Sequence, residues 1–323
     1  MITAIRVEKL GGPEVLAPAR VSVEPPGAGQ VTVEVAACGV NFIDVYFRTG
    51  LYPRPLPFVP GLEGAGRISH VGQDVGDLAV GDRVAWSTAP GSYASTLNAA
   101  APSLVRVPDG VDDDVAAAVM LQGMTSHYLV HGVRTTEPGD TALVHAAAGG
   151  VGLLLIQMLT AVGARVIGTC STEEKAALAR AAGAEEIVRY DRDDFAQRVR
   201  EWTSGRGVDV VYDSVGMTTF EGSLASLRPR GLLCLFGQSS GVVAPFDLGR
   251  LNGLGSLFVT RPSLAHYTAT REELELRAGA VLGAVASGDL DVRIGARFDL
   301  ADAAEAHRAL EGRLTTGKVL LIP

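Results

Sequence analysis

Through the first 120 residues, apolar positions come in short β-branched runs that alternate with polar ones and are cut by Gly and Pro. Residues 30–36, 66–71 and 83–86 are such runs, the first following Pro25-Pro26-Gly27-Ala28-Gly29. Period-two patterning between breakers predicts strands, so this region reads as a compact, mostly β domain. The period then changes. Residues 141–146 form a short apolar run, followed by glycines and a helical stretch over 151–162 that Gly163 closes. Strands predicted at 165–169, 186–190, 208–212 and 232–236 alternate with helices at 172–182, 194–203 and 220–227. That alternation suits βαβ units and a parallel sheet, with 256–260 as a last strand. Helices near 271–286 and 301–310 break the alternation, and this tail is expected to return to the first domain.

The first strand and first helix of the alternating region flank His145-Ala146-Ala147-Ala148-Gly149-Gly150-Val151-Gly152. Small residues at such a turn let backbone N–H groups approach a pyrophosphate at a helix N-terminus, whose partial positive charge favours an anion. Against G-x-G-x-x-G, Ala147 replaces the first glycine while Gly149 and Gly152 match. The strand–helix context makes this a dinucleotide cradle; a turn that serves only close helix–strand packing is the competing reading.

The second strand ends Gly168-Thr169-Cys170-Ser171, without the acid that holds an unphosphorylated ribose. Glu173 and Glu174 follow, and Ser171 with Glu174 fits a capping box. Lys175 suits the first helical turn poorly, because a cation there opposes the helix dipole. With Ser171 it is read as the partner of a 2′-phosphate, and solvated surface is its alternative. Tyr190, at the end of the third strand, would cover an adenine or reach that phosphate. The expected cofactor is NADPH.

Composition narrows the partners. A chain of 323 residues is long enough for two domains. A net charge of −8 and a pI near 5.3 argue against nucleic acid or an anionic membrane as main partner. No apolar run approaches the roughly 18 residues that span a bilayer, and the start reads as strand and not as a signal peptide. Cys38, Cys170 and Cys234 form neither a disulfide framework nor a C-x-x-C zinc pattern. A cytoplasmic enzyme is expected. The predicted edge strand at 256–260 is apolar enough to need cover, which predicts a two-fold homodimer joined there.

Several stretches resemble the zinc-independent quinone oxidoreductase (zeta-crystallin-like) family of the medium-chain dehydrogenase/reductase superfamily. They are Gly39-Val40-Asn41-Phe42-Ile43-Asp44, Arg48-Thr49-Gly50-Leu51-Tyr52-Pro53, Val211-Tyr212-Asp213-Ser214-Val215-Gly216, Phe236-Gly237-Gln238-Ser239-Ser240-Gly241 and Val259-Thr260-Arg261-Pro262. The resemblance implies an α/β protein: a GroES-like, mostly β catalytic domain (1–122 and 262–323), a doubly wound Rossmann domain (123–261) and an active-site cleft between them. It places Asn41, Phe42, Ile43, Asp44 and Tyr46 at the nicotinamide and Tyr52 in the quinone pocket. Asn41, Tyr46 and Tyr52 are the implied catalytic residues, with Tyr46 or Tyr52 donating to the nascent oxyanion. Thr125, Tyr128, Gly150, Val151, Ser171, Lys175, Val215, Phe236, Gly237, Ser239, Ser240, Thr260, Arg261, Pro262 and Arg313 join Gly149 and Tyr190 around the cofactor.

Zinc-dependent relatives carry Gly-His-Glu where this chain has Gly61-Leu62-Glu63, and a cysteine where it has Asn41. Residues 88–95 lack the cysteines of a structural-zinc lobe. Leu cannot bind zinc and Asn is a poor substitute for thiolate, so no metal is expected and Glu63 is read as an acceptor at the corner. The implied activity is NADPH:quinone reduction. An enone or alkenal double-bond reductase is the alternative acceptor class, and an RNA-binding or structural protein the non-enzymatic one.

Overall fold

The computed structural model describes residues Met1–Pro323. Seven strands and two helices lead the chain: β1 (Ile2–Arg6), β2 (Ala17–Val21), β3 (Gln30–Val40), α1 (Phe42–Thr49), β4 (Glu63–Val71), β5 (Arg83–Trp86), β6 (Thr96–Ala100), β7 (Val105–Arg106) and α2 (Asp113–Tyr128). The alternating region follows as β8 (Thr141–Val144), α3 (Gly150–Ala161), β9 (Arg165–Cys170), α4 (Glu173–Ala181), β10 (Glu186–Arg189), α5 (Phe195–Trp202), β11 (Val208–Asp213), α6 (Phe220–Ser226), β12 (Leu227–Leu235), α7 (Gly249–Gly253) and β13 (Phe258–Thr260). The chain closes with α8 (Leu264–Tyr267), α9 (Arg271–Ser287), β14 (Ile294–Asp299), α10 (Ala303–Glu311) and β15 (Lys318–Ile322).

Two compact units result. Unit 1 is Met1–Met124 with Thr268–Pro323, and unit 2 is Thr125–Tyr267. The second junction lies later than residue 262 because Tyr267, on α8, stacks on Tyr128 of unit 2 with ring centroids 4.4 Å apart.

In unit 1 a seven-stranded sheet runs β14-β15-β3-β4-β5-β7, with β6 also paired to β3, and β1 pairs with β2. Strand β3 is central and long: it pairs with β4, β6 and β15, so the C-terminal strand is tied into the sheet by Val40, Gly39 and Cys38. Its apolar faces build a core of Val31, Val33, Ile68, Trp86, Leu104 and Leu321 among others. In unit 2 the order is β10-β9-β8-β11-β12-β13, with every neighbouring pair parallel. Leu155, Ile156, Leu159 and Ala176 cover one face, while Val199, Phe220 and Leu224 cover the other. Burial on both faces is why these strands read as continuous apolar runs.

The mostly β reading of the first 120 residues passes over two helices. Helix α1 starts behind Asn41 and ends at Gly50, whose φ of 83° needs a residue without Cβ. In α2 the apolar residues surround the axis, Ala116 to Met120 all being buried, so no amphipathic period announces it.

Candidate active site

Three residues far apart in sequence meet at the start of α1. The Lys318 ammonium donates to Asn41 Oδ1 at 2.8 Å and forms a short ion pair with Glu63 Oε2. Asn41 Nδ2 donates to the same carboxylate oxygen at 2.7 Å and to Gly39 O at 3.4 Å, while Gln122 Nε2 donates to Asn41 Oδ1 at 3.1 Å. The other oxygen of Glu63 accepts from the Leu121 N–H of α2 at 2.7 Å. Asn41, Glu63 and Lys318 are 5%, 0% and 1% exposed. Gly39 permits this approach, since a Cβ there would lie 2.3 Å from Glu63 Oε2.

Burial pulls the Lys318 ammonium below its ordinary range, and Glu63 opposes that shift. The two donor and two acceptor positions of the Asn41 amide are all taken up inside the cluster. Glu63 stands as the expected acceptor, and its main partner is a lysine that sequence reasoning passed over. The available signal was weak: Lys318 is one of three lysines, at the head of an apolar strand.

A second network backs the first turn of α1. Asp44 Oδ2 accepts from the Asn41 N–H at 2.9 Å and from Tyr93 Oη at 2.9 Å. Arg48 can only donate, so its contact with His307 Nδ1 at 3.0 Å leaves Nε2–H to donate to Tyr93 Oη at 3.1 Å. Arg48 also holds Glu311 through two bonds of 2.7 and 2.9 Å. Burial pushes the Asp44 carboxyl up to about 6, although its N–H and hydroxyl donors pull the other way. Burial and the Arg48 charge push His307 down to about 3. The Asp44 side chain therefore points into the scaffold.

Beyond these networks lies an aromatic run. Tyr46 sits 5.3 Å from Tyr52, edge to face, and Phe42 6.3 Å from Tyr46. The Tyr52 N–H donates to Tyr46 O at 3.0 Å, which fixes the two rings relative to each other. Ile43 is half-buried beside them in sequence, and Arg313, the last residue of unit 1 expected at the site, is exposed with φ 58°.

In unit 2 the glycine loop has the form expected of a phosphate cradle. Gly149 is the N-cap of α3 with no side-chain cap, which leaves the N–H groups of Gly150 and Val151 at an open helix start. A Cβ on Gly152 would lie 2.4 Å from Ala146 O and 2.7 Å from Ala147 O, so the loop closes directly on the helix. Ala147, standing where the pattern has its first glycine, is fully buried.

The end of β9 differs from expectation in its cap. Thr172, and not Ser171, is the N-cap of α4: it is extended, and its hydroxyl accepts from the Lys175 N–H at 3.2 Å. Lys175 thus springs from the N3 position, beside half-buried Ser171. Glu173 pairs with Arg180 at 2.8 Å and Arg189 at 3.7 Å. Tyr190 stands alongside, its N–H on Cys170 O at 3.2 Å and its side chain exposed.

Two loops after β11 and β12 are knitted together. Asp213 Oδ1 accepts from the Val215 and Gly216 N–H groups and Oδ2 from Ser223 Oγ, while Ser240 Oγ donates to Val215 O at 2.7 Å. Ser223 accepts from His145 Nε2 at 3.0 Å, and burial holds that imidazole below its usual range. Phe236 N–H and Gly237 N–H reach Asp213 O, and the Ser239 N–H reaches Ser214 O. Thr260 ends β13, Arg261 donates to Leu235 O at 2.8 Å, and Pro262 follows. Thr125 and Tyr128, both buried, end α2. Nowhere do three or more His, Cys, Asp or Glu side chains converge as a metal would need.

Comparison with known proteins agrees with this architecture. Residues 27–138 match the alcohol dehydrogenase GroES-like domain, and residues 150–275 match a model described as zinc-binding dehydrogenase. The chain is 47% identical to a quinone oxidoreductase of Pseudomonas aeruginosa and 43% identical to a 2-haloacrylate reductase of a Burkholderia species. Those alignments cover all of this chain and 100% and 99% of the relatives. The solved Escherichia coli quinone oxidoreductase in complex with NADPH superposes with a TM-score of 0.98 at 44% identity, over 99% of this chain and 100% of that one. Similarity of this extent, running through both units, makes the chain a member of the zeta-crystallin-like quinone oxidoreductase family of the medium-chain dehydrogenase/reductase superfamily.

Proposed function

We propose that this chain is an NADPH-dependent quinone oxidoreductase that works without a metal. The observation that carries the reading is full-length likeness to a quinone oxidoreductase solved with NADPH, joined to an open glycine cradle and a second strand lacking a ribose-binding acid. When bound, the nicotinamide supplies reducing equivalents as hydride. Gly149, Gly150 and Val151 would hold the pyrophosphate at the α3 N-terminus, and Ser171 and Lys175 the 2′-phosphate, with Tyr190 against the adenine. Thr125, Tyr128, Val215, the 236–240 loop, Thr260 to Pro262 and Arg313 would enclose the remainder.

On unit 1, Phe42, Ile43, Tyr46 and Tyr52 line the acceptor side in this reading, and Tyr46 or Tyr52 donates to the developing oxyanion. Asn41 acts from behind, through the start of α1. A quinone suits such a site because it is electrophilic without Lewis-acid help and its reduced anion is delocalised. Steady-state oxidation of NADPH and NADH against quinone and enone panels, with chelator controls, tests all of this. Fast, chelator-insensitive turnover of NADPH with quinones is expected; turnover with NADH alone, or loss of activity with chelator, overturns it.

The relative named 2-haloacrylate reductase favours a second reading, reduction of an activated C=C bond. Turnover confined to the enone panel would select it. The reading also includes a cytoplasmic homodimer. Three free, buried cysteines suit a reducing compartment. Strand β13 leaves one edge of its sheet unpaired, with Phe258 61% exposed and Leu248 74% exposed nearby in sequence. A monomer mass by light scattering at micromolar concentration would remove the dimer.

A further inference from the structure

We propose that Arg54 is an anion-recognition residue beside the acceptor-binding aromatics, and that the enzyme prefers acceptors carrying a carboxylate over otherwise matched neutral ones. The proposal deepens the reading above and rests on its assignment of Tyr46 and Tyr52 to the acceptor. The guanidinium lies over two rings, 5.4 Å from the centroid of Phe47 and 5.0 Å from that of Phe58. Phe47 in turn meets Tyr52 edge to face at 5.8 Å, and Tyr52 meets Tyr46. One continuous aromatic bed therefore runs from Tyr46 to Arg54.

The backbone that carries that bed is restrained along its length. Arg54 sits in Tyr52-Pro53-Arg54-Pro55-Leu56-Pro57-Phe58, whose prolines restrict the backbone. Backbone bonds hold both ends: Tyr52 N–H on Tyr46 O at 3.0 Å, and Phe58 with Val7 in both directions at 2.9 and 3.1 Å. A preorganised cation loses little freedom when it binds.

What the guanidinium lacks is an anion. The other half-buried arginines hold carboxylates, as Arg83 holds Asp113 and Arg228 holds Asp209, or backbone carbonyls, as Arg200 holds those of Ala225 and Leu227. Arg54 makes only its two ring contacts. Its charge is partly withdrawn from water, and burial lowers its pKa with only the Asp44 charge opposing. An arginine stays protonated regardless, so the site keeps a planar, forked donor set without a partner. A carboxylate is the planar bidentate acceptor that fits it. Stacking alone also accounts for the position of an arginine on two rings, so the test must separate anion recognition from packing.

The probes are 2,5-dihydroxybenzoate and its methyl ester, titrated by calorimetry into protein saturated with NADP⁺, together with turnover of the corresponding quinone carboxylate and ester. A charge-assisted hydrogen bond corresponds to roughly a ten- to hundredfold preference, so wild type should bind the carboxylate at least about tenfold more tightly than the ester. Arg54→Met should abolish that preference, and Arg54→Lys should keep part of it because the charge remains without the fork. Melting temperatures of both variants check folding. Equal binding of the two probes by wild type overturns the proposal. So does an Arg54→Met variant that weakens both probes by one factor, or whose defect lies in KM for NADPH. Calorimetry needs no turnover: if neither quinone is reduced, the activity assignment falls, and the binding preference still decides the role of Arg54.

Discussion

The two units carry their sites in opposite ways. In unit 2 most of the residues proposed for the cofactor lie on the loops and first helical turns that follow parallel strands, with Thr125 and Tyr128 added from the end of α2. In unit 1 the key polar cluster draws on Asn41 after β3, Glu63 at the start of β4, Gln122 in α2 and Lys318 at the start of β15. A site made of local turns can be read from spacing. A site made where distant strands meet cannot, and its members depend on each other energetically.

That dependence gives the largest expected effect. Lys318→Met leaves the fully buried Glu63 carboxylate without its cation, which costs about 3–5 kcal/mol in stability by urea unfolding. Adding Glu63→Gln should recover much of the loss. A single variant as stable as wild type would show that the cluster does not act as a unit.

In unit 2 the corresponding break is chemical. Lys175→Ala is expected to weaken NADPH about 10- to 100-fold and leave NADH nearly unchanged, since a hydrogen bond to a charged group is worth about 1.5–3 kcal/mol. Equal losses for the two cofactors, measured by fluorescence titration, would withdraw Lys175 from the 2′-phosphate.

Gly152→Ala sharpens the same comparison, because its effect is local. The added methyl meets two backbone carbonyls that cannot swing away. We expect about 1–3 kcal/mol of destabilisation and weaker binding of both cofactors alike. A variant with wild-type stability and affinity would show that the loop yields.

Near neutral pH the smallest effect is a pH dependence from unit 1, which grows as the medium is acidified. His307 is held at about 3 in the fold against an ordinary 6.5, so it stays neutral when folded and takes a proton when unfolded. Its stability contribution is complete above pH 6.5 and falls by about 1.4 kcal/mol for each unit below that. Asp44 acts oppositely: its carboxyl is raised to about 6 from 3.8, so its contribution is complete below 3.8 and is lost as pH rises through 6. His307→Gln should therefore flatten the acid side of the stability profile, and Asp44→Asn the side around pH 6. An unchanged acid slope in His307→Gln would assign it to other groups.

Legibility followed the same division. Strands β5, β8 and β9 and the turns around Gly149 and Gly152 were visible because period and punctuation are local. The N-cap of α4 lies one residue beyond the expected Ser171, and with Lys175 at N3 no capping box forms there; Ser and Thr are both good caps, and only backbone conformation selects Thr172. Helix α2 escaped notice because burial all round erases its period. Glu63 was visible as a lone acid in a glycine corner, whereas Lys318 was not visible as its partner.

Apolar period, glycine punctuation and the missing acid after β9 were enough, by themselves, to determine the parallel sheet, the cradle and the preference for a phosphorylated cofactor as expectations. These are properties of neighbouring residues. Which side chain neutralises Glu63, which way the Asn41 amide turns, and that Arg54 rests on Phe47 and Phe58 without a counter-ion were decided only by tertiary structure. Electrostatic pairing inside a fold depends on distance in space, and side chains that pair across 255 residues of chain leave no local trace of it.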